Sequence, residues 1–216
     1  MVMRNLQLDH IAIEGPIGVG KTTLARRLAD RLQAGLLLER VDDNPFISLY
    51  YEDPARHALP VQLSFLFSRL RQWQELNQQD LFHQGMITDY IFAKDRLFAT
   101  VTLSDDELSL YDQVLHAVAV DLPKPGLVIY LQSDADVIMD RIRHRGREFE
   151  RHLGADYLRK VIAAYDRFFF HYQETPLLIV QTDRLNFADD PEAIDALLTR
   201  IGKMRSTTEF WADHSA

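Results

Sequence analysis

His10-Ile-Ala-Ile-Glu-Gly-Pro-Ile-Gly-Val-Gly-Lys-Thr22 reads as an apolar strand running into a glycine-rich turn and then into a helix. The segment Gly15-Pro16-Ile17-Gly18-Val19-Gly20-Lys21-Thr22 matches G-x-x-x-x-G-K followed by Ser or Thr in full, with a strand before it and a helical pattern over about 22–33 after it. Glycines let backbone N–H groups close around phosphate oxygens, and the helix N-terminus adds partial positive charge. Lys21 can neutralise the transferring phosphates, and the Thr22 hydroxyl suits Mg²⁺. Thr23 completes the expected phosphate-binding set. This motif implies a nucleoside triphosphate and leaves open what is done with it.

Outward from the loop, five short apolar runs have the look of buried parallel strands: 11–13, 36–38, 86–88, 127–131 and 177–180. Helical patterns separate them. The alternation predicts an α/β fold, a P-loop three-layer sandwich with a five-stranded parallel sheet, formed as one domain over 1–216 with a lid segment at 141–154 and a tail at 204–216. In such a sheet the chemistry collects beyond the C-terminal strand ends. Glu14 and Gly15, Glu39, Asp89, and Thr182 with Asp183 all fall there.

Composition narrows the partners. The chain of 216 residues carries 24 basic and 32 acidic side chains, a net charge of −8, which argues against general nucleic-acid binding. It has no cysteine, which excludes disulfides and thiolate metal sites. The eight histidines lack metal-ligand spacing. Residues 1–8 are too short and polar for a signal peptide, and no apolar run approaches the ~20 residues needed to span a bilayer. A cytoplasmic protein without membrane partners is the expectation.

Transfer of phosphate to an alcohol needs a carboxylate that orients the hydroxyl and accepts its proton. Glu39, in Leu36-Leu-Leu-Glu-Arg40, is one strand end from the loop; Asp89, in Ile87-Thr-Asp-Tyr90, is at another, placed to hold Mg²⁺ directly or through water. Strand-end acids also serve as helix caps, and the phosphate loop favours the functional reading. Arg141-Ile-Arg-His-Arg-Gly-Arg147 places Arg141 and Arg145 on one helix face, with Gly146 free to end the helix and release Arg147. Mobile arginines that close over a polyphosphate aid its transfer. Arg143 and Arg151 read as part of a solvated basic face, or as partners of nearby Glu148 and Glu150. A helix expected over 60–79 aligns Gln62, Phe65 and Arg69, an amide, a ring and a guanidinium suited to a nucleobase and equally compatible with a core edge. Tyr50-Tyr-Glu-Asp-Pro54 offers hydroxyls for a sugar.

In this order of motifs the chain resembles the deoxyribonucleoside kinase family, in its bacterial deoxyadenosine/deoxyguanosine branch, from about residue 10 to residue 187. The resemblance implies Glu39 as general base, followed by Asn44-Pro-Phe46. It implies Tyr51 and Glu150 as the pair on the sugar 3′-hydroxyl. Gln62, eleven residues after Tyr51, matches the base-binding glutamine, and Arg69 a second base contact. Asp95, in Asp89-Tyr-Ile-Phe-Ala-Lys-Asp-Arg96, falls on an aspartate that pairs with the Arg69 position in members accepting purines and cytosine, and it is expected to face the base and accept from its exocyclic amine. Gln181-Thr-Asp-Arg-Leu-Asn-Phe187 resembles the loop around the adenine of ATP, implying Asp183, Asn186 and Phe187 as nucleotide contacts. Two departures stand out. Tyr90 replaces an arginine that in the animal enzymes touches the substrate 5′-oxygen and the base carboxylate, leaving the electrostatic partner of Glu39 open, and Arg40 replaces a common proline.

The resulting expectation is ATP-dependent, Mg²⁺-assisted phosphorylation of a deoxyribonucleoside 5′-hydroxyl in nucleotide salvage, purines preferred and deoxycytidine usable. Glu39 would be the base, with Lys21, Arg145 and Arg147 stabilising charge. The family's homodimers form through helices resembling 60–79 and 104–122. Two rivals remain: a thymidylate-type monophosphate kinase, which would favour a cation where Glu39 stands, and a non-catalytic nucleotide-binding subunit.

Overall fold

β-Branched and leucine-rich segments of three to six residues build a fully parallel sheet in the order β2-β3-β1-β4-β5-β6. The strands are β1 (His10–Glu14), β2 (Gly35–Leu37), β3 (Met86–Thr88), β4 (Leu127–Gln132), β5 (Leu177–Gln181) and β6 (Thr208–Ala212). The computed structural model describes residues 9–79, 85–118 and 124–212. The helices are α1 (Lys21–Leu32), α2 (Ile47–Glu52), α3 (Pro54–Gln79), α4 (Lys94–Thr102), α5 (Asp105–Val118), α6 (Ala135–Arg145), α7 (Ala155–Phe170) and α8 (Pro191–Gly202).

The five expected strands are present, and a sixth corrects the count. β6 lies in the stretch read as a tail. It pairs in parallel with β5, and Glu209 ties down its approach by accepting from the N–H groups of Arg205 at 2.5 Å and Ser206 at 2.9 Å. As an edge strand it is only half-buried, so it lacks the continuous apolar run that betrays the inner strands. A second correction concerns α3, which starts at Pro54 and runs through Pro60. The ring removes a bond to the carbonyl of Arg56, an exposed residue whose carbonyl can turn to water. The helix expected to reach 122 is described to Val118; residues 119–122 lie outside the described residues, as do 213–216 of the expected tail.

Alternate residues of each inner strand supply two cores. Ile11, Ile13, Ile129, Leu131, Leu178 and Val180 pack with α1, α6 and α8 on one face. Ala12, Val128, Tyr130 and Leu177 pack with α4 and α7 on the other, where the rings of Tyr130, Tyr165 and Phe169 stack. Helices on both faces complete the three layers.

Register sets the site. Ala12 pairs with Thr88 and Leu37 with Thr88, so the phosphate loop, Asp89 and Glu39 emerge side by side. The last residue of β1, Glu14, is fully buried. Its carboxylate accepts from the Gly15 N–H at 3.0 Å, the Ile91 N–H at 2.9 Å and the Tyr165 hydroxyl at 3.0 Å. Removing the third donor in Tyr165→Phe leaves a buried carboxylate under-satisfied, a loss of about 1–3 kcal/mol. Thermal unfolding followed by circular dichroism should show a fall of roughly 2–4 °C per kcal/mol. The control Tyr172→Phe, whose hydroxyl meets only nearby Thr175, should fall less. Equal shifts would show that the Glu14 contact carries no special weight.

Candidate active site

The phosphate loop takes its shape from two close approaches. A Cβ at Gly15 would lie 2.6 Å from the Leu131 carbonyl oxygen. Gly18, at φ +82°, leaves no room for a side chain because Ile138 and Ile142 of α6 press against it. α6 is thus packed directly on the loop. Lys21 Nζ donates to the carbonyls of Gly15 at 2.7 Å and Pro16 at 3.0 Å, holding the ammonium over the loop. Thr22 donates to Asp89 Oδ2 at 2.7 Å, and Asp89 Oδ1 accepts from the Glu39 N–H, also at 2.7 Å.

Glu39 lies in a cavity of about 490 Å³ with Ile17, Gly18, Lys21, Thr22, Tyr51, Gln62, Phe65, Arg69, Asp89, Lys94, Arg145, Arg147 and Glu150. Its electrostatic partners, left open by Tyr90, are two cations. Arg69 donates to Oε1, and Lys94 Nζ donates to Oε2 at 2.7 Å. Burial opposes the charge of Glu39, but Lys94, Arg69 and Lys21 prevail and hold its pKa well below the usual range. Tyr90 is buried, with its hydroxyl on Gln72 at 3.4 Å. Lys94 is a site residue that sequence reasoning missed. Its signal was a lysine directly after the apolar run Tyr90-Ile-Phe-Ala, between strand end and helix.

Arg69 also donates to Asp95, as the resemblance implied. Asp95 itself is not on the cavity wall; it is almost fully buried behind Arg69, and burial raises its pKa to about 6 against the pull of that guanidinium. This corrects the expectation of a carboxylate facing the base: a buried acid has taken the nearest cation as its partner. The Arg69 guanidinium lies 5.1 Å from the Phe65 ring. Gln62 and Phe65 share the wall with it, as their helical spacing predicted.

The lid behaves differently along its length. Gly146 ends α6 at φ +68°. Arg141 is not a swinging residue: its guanidinium donates to the carbonyls of Val19 at 3.1 Å and Thr182 at 2.6 Å, bolting α6 to the phosphate loop and to the end of β5. Arg145 pairs with Glu150, and Arg147 reaches Asp42 at 3.4 Å. Glu150 and Tyr51 both line the cavity, with the Tyr51 ring stacked on Phe149. Arg143 pairs with Asp140 instead of the expected downstream glutamates, while Arg151 lies 4.0 Å from Glu148.

The expected adenine loop is beside the phosphate loop but outside the cavity wall. The Asp183 carboxylate accepts from Ser133, the Asp134 N–H and Gln181, and Asn186 caps its own turn through the N–H groups of Ala188 and Asp189. Phe187, expected as a nucleotide contact, has its ring buried in the main core. Gly15, Val19, Gly20 and Thr23 belong to the loop without lining the cavity.

This arrangement sets a charged carboxylate between a phosphate cradle and an amide–aromatic–guanidinium wall, as phosphoryl transfer to a nucleoside requires. Residues 11–205 match the deoxynucleoside kinase family. The chain belongs to the deoxynucleoside kinase family. It is 36% identical over 174 residues to a deoxyguanosine kinase of Bacillus subtilis, covering 80% of this chain and 84% of that one. It is 30% identical over 218 residues to a deoxyadenosine kinase of Lactobacillus acidophilus, covering 91% and 100%. The fold matches the structure of deoxyadenosine kinase from M. mycoides with bound dATP, with TM-score 0.77 and 23% identity, covering 89% of this chain and 98% of that one. The enzyme is a deoxyribonucleoside kinase, which removes both rival readings.

Burial, then repulsion from Lys94, pulls the Lys21 ammonium down to about 8. Lys21 is charged below that value and loses its charge as the pH rises through it. Calorimetric affinity for ATP should be level near neutral pH and fall by up to roughly tenfold per unit above about pH 8. In Lys21→Arg, whose charge persists, the alkaline fall should vanish. A parent affinity that stays level to about pH 10 would contradict the assignment.

Proposed function

We propose that the enzyme transfers the γ-phosphoryl group of ATP to the 5′-hydroxyl of a deoxyribonucleoside, with deoxyadenosine or deoxyguanosine preferred, deoxycytidine usable and thymidine poor. One observation carries this reading: the Glu39 carboxylate lies in a single cavity between Lys21 and Thr22 on one side and Gln62, Phe65 and Arg69 on the other. The B. subtilis and L. acidophilus relatives, named for deoxyguanosine and deoxyadenosine, support the purine preference.

Glu39 orients the 5′-hydroxyl and accepts its proton. The 5′-oxygen bonds to the γ-phosphorus as the bond to the β-bridging oxygen breaks, and ADP leaves. A carboxylate held this acidic is a weak base for a free alcohol. Its proton therefore moves late, once the oxygen has bonded to phosphorus and become acidic, consistent with a loose transition state. Lys21, Arg145 and Arg147 stabilise the charge on the phosphates, with 141–154 as the lid of one domain. Asp89 and the Thr22 hydroxyl are adjacent oxygen donors beside the loop. Among the described residues no cluster of three or more His, Cys, Asp or Glu forms a metal cage. That donor set would fit Mg²⁺, which would supply charge neutralisation on the phosphates.

Tyr51 and Glu150 take the sugar 3′-hydroxyl. Gln62 offers the base a donor and an acceptor, and Arg69, fixed from behind by Asp95, donates to a ring nitrogen or carbonyl. Asn186 and the backbone of 183–187 border the ATP base. The exposed Phe67 on α3 and Leu110 on α5 support a homodimer through these helices, and nucleotide salvage in the cytoplasm is the setting.

Steady-state rates with ATP, Mg²⁺ and each of the four deoxyribonucleosides test the reading. A purine should be best, and thymidine lower by at least about tenfold in kcat/KM. In Arg69→Met/Asp95→Ala every rate should drop, since Glu39 loses a donor, while the thymidine-to-purine ratio rises. Thymidine as the best substrate, or an unchanged ratio, would defeat the base assignment. A 2′,3′-dideoxynucleoside, leaving Tyr51 and Glu150 unpaired, should lose about 1–3 kcal/mol in kcat/KM. Parity with the 2′-deoxy form would defeat the sugar assignment.

A further inference from the structure

Lys94 is placed against two physical preferences. It is buried, and it is the first residue of α4, where the helix dipole disfavours a cation. Stability alone would favour an apolar residue of similar length at this position. What offsets both costs is Glu39, whose Oε2 receives the ammonium at 2.7 Å. Glu39 would not be orphaned without it, because Arg69 donates to the other oxygen. Lys94 is therefore not required to neutralise the carboxylate, yet it holds the second Glu39 oxygen. The same ammonium is close enough to repel Lys21, and it lies 5.6 Å from the Phe98 ring in the cavity wall.

We propose that Lys94 is a positioning residue for phosphoryl transfer, fixing the Glu39 carboxylate so that one lone pair stays aimed at the acceptor hydroxyl. Arg69 alone would leave the carboxylate free to rotate about its last torsion. Two donors on different oxygens lock that rotation. Arg69 approaches from the Phe65 side and Lys94 from the α4 side, leaving the remaining lone pairs of Glu39 for the substrate. Tyr90 cannot substitute, since its hydroxyl is directed to Gln72.

The inference rests on the kinase reading of the cavity, so the parent enzyme is assayed first. Lack of turnover with all four deoxyribonucleosides would overturn that reading itself. Given parent turnover, Lys94→Met should lower kcat by on the order of 10–100-fold, change the nucleoside KM by less than about threefold, and leave Tm unchanged or raised. Lys94→Arg should restore a substantial part of kcat. In a Glu39→Gln background, where no carboxylate remains to be fixed, adding Lys94→Met should cost less than about threefold. A parental kcat in Lys94→Met overturns the proposal, as does an equal loss when the change is added to Glu39→Gln. A lowered Tm with no recovery in Lys94→Arg shows a structural residue and overturns it too. Should Lys94→Met not fold, Lys94→Gln is read by the same criteria, and failure of both to fold also counts as a structural role.

Discussion

Three elements that surround the cavity meet at one buried carboxylate. Glu14 ends the central strand and receives the first N–H of the phosphate loop, an N–H from the turn after β3, and a hydroxyl from α7. Each bond fixes a different piece: the loop that cradles phosphate, the turn that carries Asp89 toward Lys94 and Asp95, and the helix that covers the sheet. Burial raises the Glu14 pKa, while Lys94, Lys21 and the two N–H groups oppose that effect. Its placement is possible only because the site supplies cations and donors, and the site holds its shape because Glu14 gathers them. A charge buried in this way is a strong constraint on geometry and a weak source of net stability.

From that anchor the rest follows by register. β2, β3 and β1 are neighbours in the sheet, so residues just beyond their C-terminal ends form a row: Glu39, Asp89 and the phosphate loop. Asp89 ties the row together, taking the Thr22 hydroxyl with one oxygen and the Glu39 N–H with the other. α6 adds the lid by packing Ile138 and Ile142 on Gly18 and by fixing Arg141 to Val19. Arg145 and Arg147 therefore project from a base fixed to the phosphate loop.

What was legible in the sequence was whatever a local pattern encodes. The phosphate loop and the inner strands are contiguous signals, and Glu39, Asp89 and the Gln62–Phe65–Arg69 face follow from strand ends and helical spacing. Partner choice was not legible, because it depends on distances between elements far apart in the chain. Arg69 meets a carboxylate 30 residues earlier and another 26 residues later. Lys94 looked like an ordinary lysine until the turn after β3 brought it to Glu39, 55 residues away. Phe187 looked like a nucleotide contact and its ring is core, since a sequence gives no depth for a residue between strand and helix. β6 escaped because an edge strand needs only half its face buried.

Arg69 touches both Glu39 and Asp95 with one planar guanidinium. The amide–aromatic–guanidinium wall and the Glu39 carboxylate are consequently parts of one rigid piece. Reshaping this pocket by exchanging Arg69 changes the tool along with the grip. A protein engineer, or natural drift, would have to supply a new support for Glu39 in the same step, which makes the region resistant to single-residue change and open mainly to paired replacement.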